Sequence, residues 1–120
     1  MNQITTGEQT VSAIGPVTGS LNTSAMSGNW SVKVRIRGLA QGLRVMLSLE
    51  DTNSATPFSD ARTIAHWNTF GGMPTDGITL SIANYEMPSA KFGAANTALR
   101  INCTAIDGGA SAQILAWLEQ

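Results

Sequence analysis

His66 is the only side chain in this 120-residue sequence whose ordinary pKa suits proton transfer near neutrality. A hydrolytic triad would have to join it to a serine nucleophile and to Asp51, Asp60, Asp76 or Asp107 as the orienting acid. Nothing around it resembles a nucleophile elbow, so it reads as a surface or half-buried strand histidine, and the expectation is a protein that is not an enzyme. A zinc site fares no better with one histidine and one cysteine. Glu50, Asp51 and Asp60 could gather carboxylate oxygens around calcium, but the regular acidic spacing of a calcium loop is absent. The plainer reading is that Asp51 and Asp60 cap turns. No metal and no cofactor is expected.

Two other groups bear on binding. Exposed aromatic rings on a β-sandwich can stack on sugar rings, and Trp67, Tyr85 and Trp117 are the candidates for it. Trp30 shares its strand face with Val32, Val34 and Ile36 and reads as core. Trp117 alternates away from Ile114 and Leu118, onto the face of Leu115. Either the last strand is buried on both sides, or that face meets another subunit, or it stacks on sugar. Lys33, Arg35 and Arg37, with Arg44 on the next strand, would make a basic strip on the outside of a hairpin. It is a solvated strand face, or else it meets the acidic side chains of a partner protein.

The elements that must carry these residues are strands. Trp30, Val32, Val34 and Ile36 oppose Ser31, Lys33, Arg35 and Arg37, and Ile114, Ala116 and Leu118 oppose Gln113 and Glu119, both with a period of two. Strands are predicted at Gln9–Ala13, Val17–Leu21, Asn29–Arg37, Leu43–Glu50, Arg62–Phe70, Ile78–Tyr85, Ala98–Ile106 and Ala112–Glu119. Gly38 to Gly42 should turn the third into the fourth as a hairpin, and Asp107-Gly108-Gly109-Ala110 should close a final one. Asp51 to Ala61 reads as an exposed loop of about ten residues, and Pro88 to Ala95 as irregular. Roughly seven or eight short strands make an all-β, single-domain antiparallel β-sandwich, jelly-roll or immunoglobulin-like. Residues 1–8 read as a polar N-terminal arm and residues 9–120 as the sandwich domain.

Only 12% of the residues are charged and the formal net charge is -1. That excludes the basic footprint of a nucleic-acid binder and leaves little repulsion between copies, so contact with other proteins is favoured. The opening segment lacks the basic start and apolar core of a signal peptide, and no stretch is long and apolar enough to cross a bilayer as a helix. Export by that route and a membrane role are not expected. Cys103, alone and beside Ile101, is expected to be a small buried hydrophobe in a reducing compartment.

The segments Asn29-Trp30-Ser31-Val32-Lys33-Val34-Arg35 and Ala98-Leu99-Arg100-Ile101-Asn102-Cys103-Thr104-Ala105-Ile106, with the ending Ala116-Trp117-Leu118-Glu119, resemble small β-rich virion proteins of tailed bacteriophages. The resemblance spans most of the chain. It implies a capsid decoration, or cement, protein made in the host cytoplasm and bound to the outside of the major capsid protein lattice. Such proteins are homo-oligomers, often trimers, and others of the group serve in the tail. The alternative reading is a carbohydrate-binding or adhesion sandwich that uses exposed aromatics.

Overall fold

A computed structural model describes residues 3–5, 7–18, 21–23, 26–52, 62–87 and 98–120. In chain order the strands are β1 (Gln3–Thr5), β2 (Gln9–Val11), β3 (Gly15–Pro16), β4 (Leu21–Asn22), β5 (Ser31–Arg37), β6 (Arg44–Thr52), β7 (Arg62–Phe70), β8 (Ile78–Ala83), β9 (Ala98–Ile106) and β10 (Ala112–Glu119). One 3-10 turn, Asn84–Glu86, follows β8.

The strands form two antiparallel sheets. In sheet A, β10 pairs with β1 and β2 on one side and with β5 on the other, and β8 completes the order beyond β5. In sheet B, β9 pairs with β3 and β4 on one side and with β6 on the other, and β7 lies outermost. Because β1 and β2 share one position and β3 and β4 another, the ten segments among the described residues occupy eight strand positions.

With those positions numbered in sequence, the sheets read 1-8-3-6 and 2-7-4-5, and successive strands mostly cross from one sheet to the other. This is a jelly roll, which resolves the topology that period-two alternation leaves open.

Both predicted hairpins are thereby corrected. β5 and β6 lie in different sheets, as do β9 and β10, so the turns at residues 38–43 and 107–111 bridge the sandwich. Glycine-bearing turns signal a change of direction and say nothing about which sheet the next strand joins. Asp51 is corrected as well, since β6 runs on to Thr52 and Asp51 is buried at 1% exposure, not part of a loop. Beyond β2, Gly15-Pro16 forms a short strand of its own that pairs with Cys103 and Asn102. The irregular segment Pro88 to Ala95 and residues 53–61 of the long loop lie outside the described residues.

The core follows the alternation. Val32, Val34 and Ile36 from β5 and Ile114, Ala116 and Leu118 from β10 meet Val45, Leu47 and Leu49 from β6 and Ile101 and Cys103 from β9, all fully buried. Burying a Val, Leu or Ile side chain contributes about 1.5–3 kcal/mol each, which is why each sheet turns one face inward. Cys103 is the buried hydrophobe expected of it, and burial pushes its thiol pKa up, away from reactivity. Thr69, a polar residue on the inward side of β7, is accommodated because its hydroxyl donates to the Val45 carbonyl at 2.8 Å.

Candidate functional site

The outer face of sheet A carries four of the six candidate residues at its centre. Trp117 on β10 stands opposite Lys33 on β5, Leu115 opposite Arg35, and Gln113 opposite Arg37. Trp117 and Leu115 are half-buried there, and the indole N–H has no acceptor among the described residues. Trp117 is thus an outer-face residue, half-buried opposite Lys33 and outside the core cluster.

The basic side chains of this face are answered by the chain itself. Arg37 donates to both carboxylate oxygens of Glu8, at 2.9 and 2.6 Å, and Arg35 adds a third bond at 3.1 Å. Lys33 lies 3.9 Å from Glu119. Arg44 takes no part, because β6 belongs to the other sheet, where Arg44 pairs with Asp107 at 3.8 Å. Glu8 closes the segment read as a polar arm, and β1 within that segment pairs with β10 from Gln3 opposite Glu119 to Thr5 opposite Trp117. The arm is stitched to the sheet by backbone and by charge.

The hydrogen bond from Arg37, assisted by Arg35 and opposed by burial, holds the Glu8 carboxyl down at about 2, against an ordinary 4.5. A depressed folded-state pKa stabilises above the ordinary value and loses that contribution as pH falls through the folded one. The thermal midpoint of the native chain should therefore exceed that of Glu8→Gln at neutral pH, and the gap should close as pH falls from about 4.5 to about 2. Parallel melting curves across that range check it, and a gap independent of pH would show that the pairing is ineffective.

The other two aromatic candidates lie elsewhere. Trp67 on β7 pairs with buried Leu47 and packs half-buried against the core at the margin of sheet B. Tyr85 sits in the 3-10 turn and is 74% exposed. The three candidate rings are thus distributed over three places.

His66 is exposed on β7, with Nε2 at 3.2 Å from the Thr104 hydroxyl and Ser48 opposite it in register. Glu50 accepts from Arg100 Nε at 2.7 Å. Among the described residues, no three of His, Cys, Asp and Glu come together as a metal-ligand group.

No protein-family model matches the chain, and no curated protein matches it. A solved structure does. A chain in the cryoEM structure of Mud Crab Dicistrovirus superposes with a TM-score of 0.50 and 12% identity, covering 98% of this chain and 67% of that one. At that identity the likeness is one of fold, and it extends over the whole jelly roll.

Sequence reasoning passed over two exposed apolar residues, Ile14 at 68% and Phe70 at 63%. For Phe70 the signal was present, because alternation counted from inward Trp67 places Thr69 inside and Phe70 outside. Ile14 lies between β2 and β3, where alternation does not apply. Trp30 was assigned to the core alone, and the structure adds that its other side lines a surface cleft.

Proposed function

We propose that this chain is a structural protein of a virion, and specifically a head decoration protein that binds the outside of the major capsid protein lattice and stabilises it. The observation that carries the reading is the two-sheet jelly roll, shared over 98% of the chain with a chain in the structure of a virus. Jelly rolls serve both virus shells and lectins, so the fold supports the reading without compelling it. The surface is consistent with a protein that lies against others. Only 12% of residues are charged, and Lys33, Arg35 and Arg37 are answered by Glu8 and Glu119 from the chain itself.

The edges of the sheets supply a means of attachment. β8 ends sheet A with Ile78-Thr79-Leu80-Ser81-Ile82-Ala83, a strand without a charge or a proline to discourage pairing. An extended segment of the lattice protein added to this edge would gain main-chain hydrogen bonds. Binding to the assembled lattice alone stabilises it by linkage, and homo-oligomeric engagement of several sites at once multiplies a modest affinity.

Mass spectrometry of density-gradient-purified particles from the source tests the proposal by counting this chain against the major capsid protein. Near-equal abundance is the expected result. A handful of copies per particle would replace head decoration with a tail or vertex role, and absence from particles would overturn the virion reading altogether.

A further inference from the structure

At the end of the sandwich remote from the 38–43 and 71–77 connections, a cleft of about 320 Å³ opens between the turn that precedes β5 and the turn that follows β8. Trp30 and Tyr85 line it together with Asn29, Ser31, Glu119 and Gln120. A lone exposed tyrosine is ordinary on a protein surface. This one is mounted on a support that is unusually well tied.

The Asn84 backbone N–H donates to the Trp30 carbonyl at 2.8 Å, and the Trp30 N–H donates back to Asn84 Oδ1 at 3.2 Å. The Asn84 amide also donates to the Gly28 carbonyl at 3.0 Å, and the Ala83 N–H donates to Glu86 Oε1 at 2.9 Å. On the third side the Gln120 amide donates to the Ser27 carbonyl and to its hydroxyl. These bonds fix the backbones that carry Trp30 and Tyr85 relative to each other, so the two turns need little reordering when a ligand docks against them.

The lining selects a ligand class. The hollow is shallow and open to solvent, and its volume of about 320 Å³ has room for one ring lying against its wall. An aromatic face beside amide, hydroxyl and carboxylate groups matches the two-sided character of a pyranose, whose C–H face is apolar and whose rim is hydroxylated. No Lys or Arg lines the cleft, and the one carboxylate in the lining, Glu119, is offset by Lys33 at 3.9 Å, so the lining carries little net charge and suits a neutral ligand. We propose that this cleft binds a neutral pyranose sugar, with the ring stacked on Tyr85 and its hydroxyls bonded by the polar side chains beside Trp30. The inference is independent of the virion reading and holds for an adhesive protein of any origin.

Amide-resolved NMR of the full chain, titrated in turn with the methyl glycosides of glucose, galactose, mannose and N-acetylglucosamine, tests it. At least one of these should produce saturable shifts at residues 29–31, 83–86 and 119–120. Tyr85→Ala should weaken that binding by about tenfold, the upper end of what one aromatic contact contributes, while Tyr85→Phe should retain it. Because Tyr85 is 74% exposed, both variants should keep the native thermal midpoint. Absence of saturable shifts at these amides with every glycoside would overturn the proposal. So would shifts of undiminished affinity in Tyr85→Ala.

Discussion

Replacing Gly77 with alanine should destabilise the protein by about 4 kcal/mol, enough to remove much of a small domain's stability. Gly77 has φ +83, a conformation that costs an L-residue about 1–2 kcal/mol by itself. The larger part is steric. A Cβ there would lie 2.1 Å from the Ile36 carbonyl oxygen and 2.8 Å from Arg37 Cβ, so the start of β8 would have to separate from β5 at the Ile36 to Ile78 pairing. Gly42 and Gly109 provide the control, with φ +86 and +80 and nothing within 4 Å of a Cβ. Alanine at either should cost only the conformational term, about 1–2 kcal/mol. Urea denaturation of the three variants measures the difference, and equal losses at all three would mean that the close approach to Ile36 does not exist in solution.

Ile114→Ala should be nearly as damaging, at about 2–5 kcal/mol. Ile114 is fully buried on the inward face of β10, the strand that joins β5 to β1 and β2, and little can move in to fill the cavity. Its neighbour Leu115 points the other way and is half-buried, so Leu115→Ala should cost about 1 kcal/mol. The comparison tests the register of sheet A directly, because a slip by one residue exchanges the two faces. A larger loss at Leu115 than at Ile114 would invert the sandwich assignment.

The strands and their buried faces were legible because each sheet buries one side, and that leaves a period of two in β5, β6 and β10. Partners were not legible, since alternation records which face a residue takes and is silent about the strand beside it. That is why the chain read as hairpins at 38–42 and 107–110 folds instead as crossings between sheets. Asp51 was misplaced for a related reason. Its neighbours Thr52 and Asn53 have turn-forming chemistry, while the pairing of Asp51 with Leu99 and of Thr52 with Ala98 on β9 carries β6 as far as Thr52. The basic strip was half legible. Lys33, Arg35 and Arg37 do share a face, but the carboxylate that binds two of them lies 27 and 29 residues away in a segment with no local signal of its destination. The aromatics show the same limit, since an exposed face and a buried one look alike at a strand end, where Trp30 and Tyr85 meet.

The position of β10 between β5 and the pair β1 and β2 also governs the order in which the protein can be completed. Gln3 pairs with Glu119, so β1 has no partner until β10 has been made. Sheet A cannot close before β10 emerges. Until β10 arrives, β1, β2 and one edge of β5 stay unpaired, and neighbouring nascent chains present the same open strands.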